Sequence, residues 1–419
     1  MLISTFWLSR DRLRQIDIPH PARTNEPAEA IAPESDVSGL CVHCGELAAS
    51  LWLKNGLQLW PLPARGIRVS VAAGRENLYL PIMNSRLILT FVLSSAAALA
   101  AVQVPSAPAG ALIVLAKADQ TLSVVDPSTL KVLGRVPSGP DPHEVAVSDD
   151  GRTAYIANYN GGGNIITPVD LVAMKALPPI DLGPLRAPHG VEFAGGKLWF
   201  TAEANKAIGS YDPASHKVDW VLGTGQNRTH MIHVSRDLSR IVTSNMSSAS
   251  LSIIEKAPVA GRGGRGGTQM DWNAVVVPVG RGVEGFDVSP DGKEIWAANA
   301  QDGTVSIVDA ATRRVTDTLA AKVNGANRLK LTPDGKLVFV STLGAPELVI
   351  IDAATRREVK RLVIGSGAAG IQMQPDGARA YVACTPDDNV AVIDVKTLEV
   401  IGRIEAGRQP DGLAWAVRR

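Results

Sequence analysis

"EGFDVSPDGKEIWAANAQDGTVSIVDAATRRVTDTL" (284–319) reads as four short strands joined by three turns. In the first turn Pro290 presets φ and Gly292 accepts the positive φ that closes a hairpin. In the last, the Asp309 carboxylate can bond the backbone two residues on. The same phrase returns as "AGIQMQPDGARAYVACTPDDNVAVIDVKTLEVIGRI" (369–404), and in looser form along the whole of residues 111–419. Aligning the strand that opens each copy stacks His143, His189, His230, Glu284, Asn327, Ala369 and Asp411 in one column, at spacings of 46, 41, 54, 43, 42 and 42 residues. Two residues further on stand Val145, Val191, Ile232, Phe286, Leu329, Ile371 and Leu413, apolar in every copy.

The seventh copy stops after its first strand, "DGLAWAVRR" (411–419), and the strands it lacks stand at the other end of the repeat region, in "ALIVLAKADQTLSVVDPSTLKVLGRVPSG" (111–139). One sheet built from both termini closes a ring and leaves no open radial edge. Four-stranded units of about 42 residues bury themselves only by stacking on neighbours. The expected fold is therefore all-β, a seven-bladed β-propeller closed by a composite blade from both termini. No helical periodicity separates the strands, which excludes a parallel α/β barrel.

The "VSPDGKEIWAANAQDGTVSIVDAATRRV" grammar, with "YIAN", "WAAN" and "YVAC" at the signature tetrapeptide, resembles the YVTN-repeat family of bacterial propellers. The resemblance covers residues 111–419. It implies an exported propeller of the lactonase-like and cytochrome-d1-like superfamily, whose members include lactonases, copper and haem enzymes and pure binding scaffolds.

In a propeller the opening strand of each blade lines the central channel, so the column of His143 surrounds one mouth. Three of the five histidines after residue 110 share it. Duplication of one ancestral blade would fill the column with a single residue type, yet it changes to Glu284, Asn327 and Asp411, all able to hold a ligand. The expected ligand site is His143, His189, His230, Glu284, Asn327, Arg328 and Asp411, with Glu144, Glu192, His233, Asp287 and Arg328 behind the ring in the same strands. Imidazoles plus a carboxylate suit a divalent transition metal, for which His143, His189, His230 and Glu284 are the expected ligands. The expected function is binding of a small molecule or an envelope protein at this mouth, without chemistry. The alternative is a metal-assisted hydrolase of the lactonase type, with those four residues as ligands or base and Arg328 placed for a carboxylate.

Ahead of the repeats, "MNSRLILTFVLSSAAALAAVQVPSAPAG" (83–110) has an arginine, an apolar run and a small-residue triplet, the pattern of a secretory leader followed by a linker. Residues 1–82 show no clear periodicity. Translation from Met83 is the expected origin of the leader, against a short cytoplasmic tail before a signal anchor; either way the destination is the periplasm or the exterior. "CVHCG" (41–45) places Gly45 where c-type haem attachment needs histidine. The composition, 45% hydrophobic and 20% charged with a net charge of +1, gives no field for nucleic acid or an acidic membrane. Three cysteines rule out a disulfide scaffold, and Cys384 is expected to be buried in a strand. "VAGRGGRGGTQMDW" (259–272) reads as a loop that lengthens the third copy. The mature protein is expected to be a monomer without a membrane span.

Overall fold

The computed structural model describes residues 57–61, 66–71, 78–81, 110–259 and 269–417. The leader at 83–109, the "CVHCG" motif and the arginine–glycine loop at 260–268 lie outside the described residues. The chain divides into two units, Met1–Val102 and Gln103–Arg419. In the first, strands Leu57–Pro61, Gly66–Val71 and Leu78–Pro81 form an antiparallel sheet in chain order.

The second unit is a seven-bladed propeller whose blades are antiparallel sheets in meander order. We number the blades by their inner strands: Pro142–Val147, Pro188–Ala194, Thr229–Val234, Val283–Val288, Ala326–Leu331, Ala368–Met373 and Pro410–Val417. Each inner strand packs on the next, and the last packs on the first. Blade 7 is composite: Pro410–Val417 pairs with Gly110–Ala116, placing Leu413 opposite Val114 and Trp415 opposite Leu112. The two ends of the repeat region share one sheet, as the repeat arithmetic requires.

The core lies between blades. Ile232, Phe286, Leu329, Ile371 and Leu413 of the second aligned column are all buried, with Trp296, Phe339 and Tyr381 among the largest side chains sealed between sheets. Cys384 is fully buried and unpaired at the end of a strand in blade 6. In three blades that strand-end position holds a buried asparagine. Asn158 Nδ2 donates to the carbonyls of Ser138 and Pro140, tying blade 1 to the loop leaving blade 7. Asn245 and Asn299 instead donate to hydroxyls of the next strand, at Ser252 and Ser306. The outer edge of blade 1 is broken into Lys175–Ala176 and Ile180–Asp181 around two prolines, which blunts it against pairing with another chain.

Candidate functional site

Every inner strand carries an irregularity where the histidine column falls. In blade 3, Thr229 pairs with Asn245 and the next pair is Ile232 with Thr243, so His230 and Met231 together face Ser244. The same slip recurs in all seven blades. Such a bulge bends the strand and re-aims one side chain, here toward the axis. The residue two before each column position is left-handed in all seven copies: Asp141, Ala187, Arg228, Gly282, Gly325, Gly367 and Gln409. Its carbonyl accepts the N–H of the first residue beyond the blade's second strand, in all seven copies again.

Hydroxyls lock three of the bulges. Thr201 accepts the Gly190 N–H and donates to the His230 carbonyl, both at 2.9 Å. Ser244 and Ser341 make the same link from blade 3 to Glu284 and from blade 5 to Ala369. Glycines let the inner strands approach closely, at one of these bulges and at others. A Cβ on Gly285 would stand 2.6 Å from the Asn327 carbonyl oxygen, and Gly190, Gly370 and Gly412 face the next blade as tightly.

The column residues form a packed floor rather than an open cavity. The His189 and His230 rings stack with centroids 3.8 Å apart, and His143 lies 5.2 Å from His189. His230 bonds Glu203 through Nδ1 and Glu284 through Nε2, the latter at 3.0 Å. Burial opposes its charge, but the two carboxylates outweigh that and raise its pKa, so both ring nitrogens donate. Glu203 and Glu284 are held below the ordinary carboxylate range despite their burial, His230 being the main cause in each. Burial pushes His189 far down, reinforced by His230 and Arg328, and this ring is neutral. Burial also lowers His143, although Asp411 and Asp141 lie 3.3 and 3.1 Å from its two nitrogens.

Asn327 donates to Glu284 at 3.1 Å. Arg328 reaches across from blade 5 to Glu144 of blade 1 and also faces Glu284, so a guanidinium spans the channel under the floor. Beyond it lies a cavity of about 290 Å³ bordered by Glu192, His233, Asp287, Lys330 and Gln372. Those charges are matched within the fold. Glu192 accepts the Val234 N–H and Asp287 the Leu331 N–H, each joining two blades, while His233 and Lys330 lie beside the same carboxylates.

The structure thus gathers His143, His189, His230, Glu284, Asn327, Arg328 and Asp411 around one axis; Ala369 completes the ring without a polar group. It does not arrange the expected metal set. No group of three or more His, Cys, Asp or Glu side chains among the described residues could hold a metal ion. The physical reason is that both nitrogens of His230 already donate to carboxylates and His189 lies flat against that ring, so their lone pairs do not converge. Three residues at the mouth escape alignment of the inner strand: Lys117, Tyr159 and Glu203, each the first residue past a second strand. Lys117 bonds Asp411 at 2.9 Å, Tyr159 donates to Glu203 at 2.8 Å and packs on His143 and His189, and Glu203 holds His230. Their signal is a second column, one place beyond the signature tetrapeptide.

No protein-family model matches the chain, and no curated protein matches it. Solved structures resemble it in fold. One is hydrazine synthase of Kuenenia stuttgartiensis, 19% identical over 66% of this chain and 90% of that one, with a TM-score of 0.55. Another is the dihydro-heme d1 dehydrogenase NirN, 17% identical over 73% of this chain and 74% of that one, at 0.52. A third is a Bacteroides fragilis protein assigned provisionally as a 6-phosphogluconolactonase, 14% identical over 74% and 98%, at 0.58. At these identities the shared property is the propeller, and its neighbours differ in function.

Proposed function

We propose that the propeller binds a small polar ligand at its channel mouth, on the arc of blades 7, 1, 2 and 3, without acting on it chemically. The supporting observation is His189. It is 4% exposed and neutral, and its Nδ1 has no hydrogen-bond partner, whereas the imidazoles on either side are held by carboxylates. A buried polar atom left unmatched costs about 1–3 kcal/mol. Asn327 Oδ1, in the same ring, is also unmatched. A closed ring of bulges, hydroxyl links and a channel-spanning arginine holds the surrounding groups fixed, so little conformational entropy is lost on binding.

A lactonase-like hydrolysis calls for a base beside an electrophile. His230, bonded to carboxylates through both ring nitrogens, is not free to act as that base, and binding is the reading we favour. The secretory pattern at 83–110 supports a site of action in the periplasm or outside the cell, where an envelope protein is the other candidate occupant.

The test is a thermal-shift screen of the full chain against hydroxy acids, sugars, lactones and small carboxylates, repeated on His189→Asn. A true ligand at about 100 times its Kd adds about 2.7 kcal/mol and raises the wild-type Tm by several degrees. The variant keeps its own transition and loses that shift. Equal shifts in both proteins, or none from any class, would sink the proposal.

A further inference from the structure

The outer edges of the blades are guarded, with one exception. In blades 2, 4, 5, 6 and 7 the outer strands Lys217–Gly223, Arg314–Leu319, Arg357–Val363, Glu399–Ile404 and Lys131–Pro137 each slip by a residue against the strand inside them. Each also carries more than one charged side chain. The outer edge of blade 1 is broken in two. Bulges, breaks and charges are the devices that keep a strand edge from pairing with another chain. The outer strand of blade 3 has neither bulge nor break. Gln269–Pro278 runs ten residues in continuous register against Ser250–Val259, and its one charged side chain is Asp271. Its even-numbered residues turn their amides outward: the Trp272 N–H donates to the Asp271 carboxylate at 2.8 Å rather than to the neighbouring strand. The strand is also held in place, because Trp272 packs on Trp220 of blade 2 with centroids 5.5 Å apart and Lys256 lies over its ring. On the Trp272 face Met270 is 57% exposed and Val276 41%.

We infer that this edge pairs with the same edge of a second copy of the chain, antiparallel about a two-fold axis at Ala274, in place of the monomer that the sequence suggests. That register sets the outward amides of the two copies against each other, so the N–H groups of Met270, Trp272, Ala274 and Val276 all meet carbonyls. Pro278, which has no N–H to give, falls at the end of the run. The side chains agree with the backbone. Trp272 stands opposite Val276 of the partner subunit, an aromatic ring beside a β-branched residue. Asp271 stands opposite Val277 of the partner subunit, so the strand's one carboxylate does not meet its own image. A foreign segment would be recognised by charge or by pockets for alternate side chains. This edge offers a single carboxylate, already bonded to its own backbone, and its sequence matches itself when reversed.

Sedimentation equilibrium of the full chain tests this, alongside Ala274→Lys, Ala274→Glu and an equimolar mixture of the two. Ala274 is exposed and its N–H points outward, so both variants keep the wild-type melting transition. The wild type passes from monomer to dimer mass as its concentration rises through the micromolar range. Each variant sets like charges against each other at the axis and dimerises about tenfold more weakly at low salt, and mixing the two restores association. Wild type of monomer mass at every concentration overturns the second copy as occupant and leaves the edge to an extended segment of another protein. A dimer indifferent to either substitution places the interface elsewhere and overturns the inference. A mixture that associates no better than its components overturns the pairing about Ala274.

Discussion

At the level of single residues, two stacked imidazoles pull stability in opposite directions with pH. His230 has a folded pKa raised by Glu203 and Glu284. Its contribution is complete below about 6.5, the unfolded value, and is lost as pH rises through the folded one. His189 is lowered by burial and by its charged neighbour. The unfolded chain takes up a proton that the folded ring refuses, so stability falls as pH drops below about 6.5. Denaturant titrations across pH 5–8 should show a maximum between these limbs. His189→Gln should flatten the acid limb, and His230→Gln the alkaline limb, each by up to about 1.4 kcal/mol per pH unit. An acid limb unchanged in His189→Gln would mean that this ring is not the neutral, proton-refusing group described here.

At the level of strands, the bulge makes the site and glycine makes room for the bulge. Gly285→Ala adds a methyl group 2.6 Å from the Asn327 carbonyl although the backbone φ there is not left-handed. We expect a loss of about 1–3 kcal/mol from overpacking, read as a lower urea midpoint. Gly292→Ala, in an open turn at φ +71°, should lose only the left-handed penalty of about 1 kcal/mol. The inner column was legible in the sequence because every copy begins with the same strand at nearly the same spacing, so His143, His189 and His230 fell into line and their convergence followed from ring closure. Glu203 and Tyr159 were not, because the position they occupy holds Lys, Tyr, Glu, Met, Ala, Leu and Thr in turn and repeats no residue type. The metal expectation failed at a finer grain: spacing brings imidazoles together, but which way their nitrogens point depends on the carboxylates each ring finds, and Glu203 enters from outside the aligned strand.

At the level of the whole molecule, closure rests on one strand. Pro410–Val417 covers Gly110–Ala116, whose residues from Ala111 to Ala116 have no exposed surface. Removing residues 410–419 uncovers that row and opens the ring between blades 7 and 1. We expect the full chain's cooperative thermal transition to be abolished in this truncation, and calorimetry of the two proteins checks it. A truncated chain that melts with the original enthalpy would show that six blades and a remnant suffice.

The join also sets an order of events. Every other strand of the ring leaves the ribosome before Pro410–Val417 does, and the partner of that strand was made about 300 residues earlier. Until the last strand arrives, the nascent chain holds an unfinished circle with its inner seam bare to solvent. The circle is therefore sealed only when two segments far apart in the sequence meet, however fast the blades between them have formed.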